Sequence, residues 1–443
     1  MKENYFAQRF TAGKLLWFAL PNIIMQIFLS TYTIVDGMFV SRYVGTVALG
    51  STNIVWPVIC IQLAVSVMLA SGGSAIVSYQ MGSGKSEQAR QTFTLIVLTG
   101  IALSFVFIAV CYPFMPQLSE LLGASPLQLD YCITYGRITL LLATPFFLQV
   151  LFQTFFVTAG HPTIGLVSVV FGGLTNVVLD YLFMKYLQWG ITGAALATGL
   201  ASIPPAVCGL VFFLFHRTGS LYFTRPSHDW KALLRSCSNG ASEMVTNLAN
   251  AVTTILFNYM FMYYYGEDGV ASIAIVLYFQ FVFSAFYFGY SSAVAPIIGY
   301  KYGAKDNKQL KYIIRFSYLF VTLVCVGTYF ASQKLISPAM HLFADPSSTV
   351  FSITLQGFPL FALSFLFMGI NIFSSSMFTA LSNGLISAVI SFGRTFLFLA
   401  GSIIILPMLI GANGVWLAIA AAELLGFLVS AFCFVRQKKK YQY

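Results

Sequence analysis

Residues 190–198 read Gly-Ile-Thr-Gly-Ala-Ala-Leu-Ala-Thr, and residues 411–419, which lie 221 positions later, read Gly-Ala-Asn-Gly-Val-Trp-Leu-Ala-Ile. The same shift superimposes other glycines, at 45 and 266, 82 and 303, 136 and 357, and 172 and 393. Flanking residues follow the same register, as in Gln88 with Gln309, Thr158–Ala159 with Thr379–Ala380, and Phe171 with Phe392. The chain therefore consists of two like halves.

The amino-acid composition indicates that this chain lies in a lipid bilayer. Hydrophobic residues make up 58% and charged residues 8% of 443 positions, whereas a soluble domain carries roughly 25% charged residues. Apolar stretches near or above the ~20 residues needed to cross a bilayer recur along the chain. We expect an all-α integral membrane protein with twelve transmembrane helices in two pseudo-symmetric six-helix bundles. The predicted spans lie near 14–38, 51–80, 92–116, 133–158, 163–185, 190–215, 237–263, 270–300, 312–338, 353–380, 385–409 and 413–435.

The predicted domains are an N-lobe over residues 1–216, a cytoplasmic linker over 217–236 and a C-lobe over 237–443. The linker is the longest polar stretch between spans. Because each half has an even number of spans, both halves enter the membrane from the same side. An axis along the membrane normal should therefore relate them.

Charge predicts orientation. Basic residues collect in segments that should share one side: Lys2, Arg9, Lys14, Lys85, Arg90, Arg217, Arg225, Lys231, Arg235, Lys301, Lys305, Lys308, Lys311, Arg315, Arg436 and Lys438–Lys440. By the positive-inside rule, this side and both termini are cytoplasmic. The net charge of +10 then indicates topology and contact with anionic membrane lipid, rather than nucleic-acid binding.

Enzyme motifs are scarce. Residues 82–86 (Gly-Ser-Gly-Lys-Ser) lack the earlier glycine of a phosphate-binding loop, because position 79 is Tyr, and they follow a span rather than a soluble strand. The four histidines lack zinc spacing, and the seven cysteines form no C-x-x-C pair. We therefore predict a non-enzyme without a cofactor. Two like halves in a membrane suggest a transporter, because two lobes can rock around a shared central site. Without a nucleotide site, its transport would have to use an ion gradient.

Ionisable residues inside spans are costly and are candidates for function. Asp36 lies six residues before Arg42, and Asp180 lies five before Lys185, in two spans that both run outward. At ~1.5 Å per residue the two carboxylates should share one depth. Asn176 precedes Asp180 by one helical turn, and Thr198 lies eight residues after Gly190. We expect the four side chains to converge in the N-lobe.

Two carboxylates in a low-dielectric layer resist being ionised together, so the pair could hold a proton or accept a cation through its oxygen atoms. The alternative is that Asp36 and Asp180 only hydrogen-bond neighbouring helices. Their counterparts in the second half are Phe257 and Gly401, while Asn176 and Thr198 correspond to Leu397 and Ile419. Confinement to one lobe favours ion coupling over a role in folding.

The same residues resemble a known family. Residues 33–40 (Thr-Ile-Val-Asp-Gly-Met-Phe-Val), with Gly45 and Ala48, are similar to the first helix of MATE (multidrug and toxic compound extrusion) transporters. Residues 158–162 (Thr-Ala-Gly-His-Pro), Asn176-x-x-x-Asp180 and residues 190–198 resemble the family's fourth-to-fifth turn, fifth helix and sixth helix. The resemblance covers essentially the whole chain. It implies a cation-coupled exporter with two lobes in a V shape, coupling through Asp36, Asn176, Asp180 and Thr198.

One departure bears on the coupled ion. Some members of this family are thought to bind sodium in the C-lobe through a carboxylate of the tenth helix. Here the tenth span, 353–380, contains neither Asp nor Glu. This departure favours proton coupling in the N-lobe, with sodium at the same site as the alternative.

Further candidates are less specific. Glu243, near the start of span seven, could contact substrate or act as a gate, or it could be a helix-start carboxylate at the interface. Phe283 and Tyr287 belong to an aromatic face of span eight, which suits either cation–π contact with a substrate or helix packing. Arg394 and Glu423 should both lie near the membrane midplane, where a structural ion pair is favoured over substrate contact.

The sequence thus predicts a secondary-active antiporter that exports drugs or other organic, mainly cationic, compounds by alternating access. A lipid-linked saccharide flippase of the related superfamily is the alternative, which Asp36 and Asp180 fit poorly. A membrane receptor or an intramembrane enzyme is disfavoured. The expected partners are a small organic substrate and membrane lipid, for a monomer in a bacterial cell (inner or plasma) membrane.

Overall fold

The computed structural model describes residues 5–226, 229–341 and 345–443. Within these ranges the chain is helical almost throughout and contains no strand. Nine helices are long and apolar enough to cross a bilayer, and two helix pairs bent by 56° and 50° bring the count for the described residues to eleven. One of these helices, Trp230–Gly303, turns at Gly266 and holds two spans. The predicted twelve spans are therefore present.

In the first half the spans are one, Ala12–Tyr43; two, Thr46–Gly82; three, Ser86–Cys111; four, Pro126–Leu141 with Ala143–Thr158; five, Pro162–Asp180 extended by a π-helical turn, Tyr181–Tyr186; and six, Gly190–Ala201 with Ile203–Phe215. In the second half, spans seven and eight share Trp230–Gly303; nine is Asn307–Met340; ten is Thr349–Ala362 with Phe365–Ala380; eleven is Gly384–Phe392 with Gly393–Phe398 and Leu399–Ile410; and twelve is Ala412–Tyr441. Short helices lie at Tyr5–Ala7 and Met115–Leu121.

The predicted boundaries differ from the observed ones where local chemistry sets the helix end. Span three ends at Cys111 rather than near 116, because Pro113 lacks the N–H group that would continue the helix. Span seven begins at Trp230, inside the predicted linker 217–236. The side chain of Asp229 caps this helix by accepting a hydrogen bond from the backbone N–H of Ala232 at 3.1 Å.

The internal repeat is visible in the backbone. Gly45, between spans one and two, has φ of 111°, and its counterpart Gly266, between spans seven and eight, has φ of 67°. Residues with a Cβ rarely adopt positive φ, so glycine is required at both turns. Side chains have diverged between the halves while the conformation of this turn has been retained.

The two bundles meet at one end, which we call the terminal end because Phe6 and Tyr441 both lie there, packed against Tyr300 and Tyr302. Here the last turns of spans two and eight are in backbone contact. A Cβ placed on Gly82 would stand 2.0 Å from the carbonyl oxygen of Tyr300, and one on Gly303 would stand 2.3 Å from that of Tyr79. A shift of 221 residues exchanges Tyr79 with Tyr300 and Gly82 with Gly303. The pseudo-twofold symmetry between the halves therefore maps this contact onto itself.

Candidate functional site

Asp36 and Asp180 come together inside the N-terminal bundle. Asp36 lies on span one, and the side chains of Asp180, Asn176 and Thr198 are those within hydrogen-bonding reach of its carboxyl group. Asn176 and Asp180 are completely buried. Spans one, five and six thus bring the four sequence-predicted residues into one cluster, the coupling cluster. The role of these residues in coupling stays a prediction.

The polar atoms of the coupling cluster are poorly satisfied. Among the residues that the structure describes, no partner with good hydrogen-bond geometry exists for Oδ1 of Asp36, either carboxylate oxygen of Asp180 or either side-chain amide atom of Asn176. Thr198 donates its hydroxyl hydrogen to the carbonyl of Ala194 at 3.0 Å, so its oxygen can only accept a hydrogen bond from the other residues of the cluster. Buried polar groups in proteins are normally paired, and leaving them unpaired is costly. Helix-to-helix hydrogen bonding therefore accounts poorly for these residues.

Small residues bring the three helices close enough to form the cluster. A Cβ on Gly173 of span five would stand 2.5 Å from the ring of Phe28 on span one. A Cβ on Gly193 of span six would stand 2.9 Å from Cβ of Phe183, in the π-helical turn that follows Asp180. Such turns occur frequently at functional sites. Close packing at these two glycines brings spans one and six against span five, which carries Asp180.

Two tyrosines that the sequence analysis did not single out also belong to the site. Tyr32 lies within electrostatic range of both Asp36 and Asp180. Tyr135, on span four and 7% exposed, reaches the hydroxyl of Thr198 and lies within range of both carboxylates. Tyr32 precedes Asp36 by four residues and so shares its helix face, a spacing that could have revealed it. Tyr135 had no such signal, because only the fold brings span four to this layer.

The C-terminal bundle contains the ion pair that the sequence suggested. Nη1 of Arg394 lies 2.9 Å from Oε1 of Glu423, and both side chains are buried. Nδ2 of Asn371 donates to Oε2 of Glu423 at 2.7 Å, and Ser430 donates to Oδ1 of Asn371 at 3.0 Å. Glu423 is thus held by partners on spans ten and eleven, as expected of a structural pair.

The remaining candidates lie apart from the coupling cluster. Glu243 is half-buried and within electrostatic range of Arg394 in the C-terminal bundle. Tyr287 is 1% exposed and its ring packs beside Gly369, where a Cβ would stand 2.7 Å from it. Phe283 makes an edge-to-face contact with Phe365 at 5.4 Å between ring centroids. These contacts favour helix packing over substrate binding for Phe283 and Tyr287.

The donor set of the coupling cluster fits hard cations and protons. It offers two carboxylates, an amide and a hydroxyl, and oxygen atoms of these kinds are the ligands that such cations prefer. Over the described part of the chain, no group of three or more His, Cys, Asp or Glu side chains could hold a metal ion.

Two six-helix bundles in a membrane, with two carboxylates brought together inside one of them, are an architecture typical of transporters. The MatE family model matches the chain twice, over residues 21–182 and 243–404. The chain therefore belongs to the MatE family, and the family and the internal repeat predicted from the sequence are both confirmed.

Individual proteins agree with this assignment. The chain is 23% identical to the multidrug export protein MepA of Staphylococcus haemolyticus, over 96% of this chain and 93% of that protein. Its fold matches a crystal structure of MATE in complex with MaL6 with a TM-score of 0.92 and 19% identity, covering 99% of this chain and 100% of that one. It also matches the outward-facing conformation of a multidrug resistance MATE family transporter of the MOP superfamily, with a TM-score of 0.91 and 19% identity over 99% of each chain. The architecture of two six-helix bundles is thus confirmed.

Proposed function

We propose that this protein is a cation-coupled antiporter that exports organic compounds, drugs among them, by alternating access. The observation that carries the proposal is the coupling cluster, in which Asp36 faces Asp180, Asn176 and Thr198 while most of their polar atoms lack partners. Membership of the MatE family and similarity to proteins named multidrug export proteins support the direction and the class of cargo.

The coupling step follows from the chemistry of two adjacent buried carboxylates. Two negative charges at close range in a low-dielectric site repel one another, and neither Asp36 nor Asp180 has a cationic partner in the two ion pairs of the described residues. A bound proton or cation removes this repulsion and supplies a partner for the unpaired oxygens. Loading therefore stabilises the packed arrangement of spans one, five and six, whereas unloading destabilises it.

We favour a proton over sodium as the coupled ion. A proton shared between Asp36 and Asp180 needs no further ligand, whereas sodium would need several oxygen atoms at once. The tenth span offers no carboxylate for a second cation site in the other bundle. Sodium bound by the same four residues is the competing version, and the ion gradient that drives export distinguishes the two.

Alternating access requires that the ion and the substrate meet the transporter from opposite sides. By the positive-inside rule, the basic segments predict that the terminal end, and with it both chain termini, faces the cytoplasm of a bacterial cell. The contacts of Gly82 with Tyr300 and of Gly303 with Tyr79 close that end, so under alternating access this conformation is the one that would open to the outside. An ion taken up here at Asp36 and Asp180 would promote release of the substrate, and return of the loaded carrier would deliver the ion to the cytoplasm.

Export from proteoliposomes tests the proposal. Purified protein is reconstituted as a monomer, and efflux of a fluorescent organic cation is measured with an imposed pH gradient and, separately, with a sodium gradient. We expect the pH gradient to drive export by the wild type and Asp36→Asn to abolish it while the protein stays folded. Asp130→Asn, at an exposed carboxylate, is the matched control and should export normally. Full gradient-driven export by Asp36→Asn would contradict the coupling role.

A further inference from the structure

The segment before span one, residues 5–11, crosses from one bundle to the other at the terminal end, and we call it the strap. Its first residue belongs to the N-terminal bundle. The ring of Tyr5 stacks on Phe18 of span one with centroids 5.3 Å apart. A Cβ on Gly160, at the turn before span five, would stand 2.9 Å from Cβ of Tyr5. The strap is therefore seated on the first bundle as well as covalently joined to it.

Its next residues are held by the C-terminal bundle. Phe6 is completely buried, and its ring meets Tyr300 of span eight edge to face at 5.9 Å. Nζ of Lys301 donates to the backbone carbonyls of Ala7 at 3.3 Å and Gln8 at 3.1 Å. Its third contact is with the carboxylate of Asp306 at 3.3 Å. Lys301 is 3% exposed, so this lysine acts as a buried clasp on the backbone of the strap.

Two side chains of span nine make further hydrogen bonds to the strap and to the start of span one. The backbone N–H of Phe10 donates to Oε1 of Gln309 at 3.0 Å, and that of Ala12, the first residue of span one, donates to the hydroxyl of Tyr312 at 3.1 Å. The first N–H groups of a helix have no partner within the helix. Here side chains of the opposite bundle satisfy N–H groups at and just before the start of span one.

We propose that the strap is a latch for the state in which the terminal end is closed. The strap moves with span one, so separating Gly82 from Tyr300 and Gly303 from Tyr79 must draw Phe6 away from Tyr300 and the carbonyls of Ala7 and Gln8 away from Lys301. These contacts exist only while the bundles touch at this end. Their strength therefore sets how often the terminal end opens, independently of the ion bound at Asp36.

This inference rests on the proposed alternating access, but it also requires that the strap can leave the C-terminal bundle without unfolding it. Once released, Lys301 and the N–H groups of Phe10 and Ala12 would be solvated by water at the terminal end, so opening leaves no buried charge without a partner. Weakening the strap should therefore shift the balance toward the open state without unfolding either bundle.

Hydrogen–deuterium exchange of the full-length protein in lipid nanodiscs, without substrate or ion gradient, tests the latch. The peptides to follow are residues 72–85 of span two and 293–304 of span eight. Phe6→Ala, Tyr312→Phe and Lys301→Gln remove one hold each. Lys308→Gln removes the same charge as Lys301→Gln from an exposed position at the start of span nine and is the matched control.

We expect faster exchange at both helix ends in the three strap variants, by about tenfold for Lys301→Gln, which removes a charge-assisted hydrogen-bonding group. Lys308→Gln should exchange as the wild type does. If Lys301→Gln fails to fold, the uncharged variants Phe6→Ala and Tyr312→Phe decide the question. Wild-type exchange in both of these variants would overturn the latch.

The exchange experiment separates the latch from the proposed function, because no transport is measured in it. If Asp36→Asn exported normally, the coupling proposal would fail while faster exchange in the strap variants would still support the latch. If the strap variants exchanged normally while Asp36→Asn lost export, only the latch would fail.

Discussion

Arg394 and Glu423 form a buried ion pair across spans eleven and twelve, with Nη1 and Oε1 2.9 Å apart. Asn371 donates its amide hydrogens to both the side chain and the backbone carbonyl of Glu423. The counterparts of Arg394 and Glu423 in the first half are Gly173 and Ser202. Each bundle therefore has its own cluster of ionisable side chains, joined as an ion pair in the C-terminal bundle and largely without hydrogen-bond partners in the coupling cluster.

Removing one member of this pair should destabilise the C-terminal bundle. Glu423→Ala leaves the guanidinium of Arg394 buried without its anion, and breaking a buried pair in this way typically costs about 3–5 kcal/mol. We expect a large fall in the thermal unfolding midpoint of the purified protein. The double variant Arg394→Met/Glu423→Leu should recover much of the loss, because it removes both charges. An unchanged midpoint for Glu423→Ala would show that the pair has no structural role.

Adding a side chain at Gly82 should prevent closure of the terminal end. A Cβ there would stand 2.0 Å from the carbonyl oxygen of Tyr300, a separation that no packed structure tolerates. We expect Gly82→Val to fold, to exchange hydrogen faster at residues 293–304 and to lose dye export. Gly327→Ala on span nine is the control, since a Cβ there meets no atom within 4 Å. Export at the wild-type rate by Gly82→Val would mean that closure at this contact is not needed.

The amide of Asn176 can be tested against its neighbour on the same helix. Asn176 is completely buried in the coupling cluster, whereas Thr175 is half-buried and donates its hydroxyl hydrogen to the carbonyl of Phe171 in its own helix. Asn176→Ala removes a polar group within reach of Asp36, and we expect gradient-driven export to fall by about tenfold, the effect of removing one group that can hydrogen-bond the carboxylate or its bound ion. Thr175→Ala should leave the rate unchanged. Equal rates for both variants would remove Asn176 from the coupling site.

His161 and His216 form a pair outside the membrane spans, with ring centroids 5.8 Å apart at an edge-to-face angle. Burial lowers the pKa of His161, and the nearby His216 lowers it further. Removing His216 should therefore raise the titration midpoint of His161. Nuclear magnetic resonance of histidine ring protons measures this midpoint in wild type and His216→Ala, with His161→Gln identifying the signal. A midpoint that does not rise would show that His216 has no electrostatic influence on His161.

The lowered pKa of His161 also determines how local stability changes with pH. A histidine with a lowered pKa binds a proton more readily when its surroundings open, so acidification below the ordinary histidine range favours opening of the turn before span five. The closed turn keeps its full stability at neutral pH and loses stability as the pH falls from the ordinary pKa of histidine toward the lowered pKa of His161. Exchange of amide hydrogens at residues 158–164 should therefore be faster in acid than the ordinary pH dependence of exchange predicts.

The sequence predicted the parts of this structure that repeat or that violate the rules of a lipid environment. The shift of 221 residues revealed two halves because glycines at turns such as Gly45 and Gly266 cannot easily be replaced. Asp36 and Asp180 were noticeable because carboxylates are rare within apolar spans. Equal depth in two outward-running helices was enough to predict that these side chains meet, and the structure places them together.

Contacts between distant parts of the chain were not predictable in this way. Lys301 was counted as one of many basic residues that set topology, although it is 3% exposed and bound to the strap. Tyr135 reaches the coupling cluster only through the packing of span four. In neither case does local sequence distinguish the residue from others of its type, because its role depends on a neighbour far away along the chain.

Gly82 contacts Tyr300, and its counterpart Gly303 contacts Tyr79, the counterpart of Tyr300. The contact between spans two and eight is therefore self-complementary. Two separate copies of a half-length polypeptide, inserted in the same direction, could form both of these contacts with a single sequence, as the two sides of a symmetric homodimer interface do. Fusion of such copies would then free each half to change on its own. Acidic residues present in one half and absent from the other, as with Asp36 and Phe257 or Asp180 and Gly401, are the kind of difference that fusion permits.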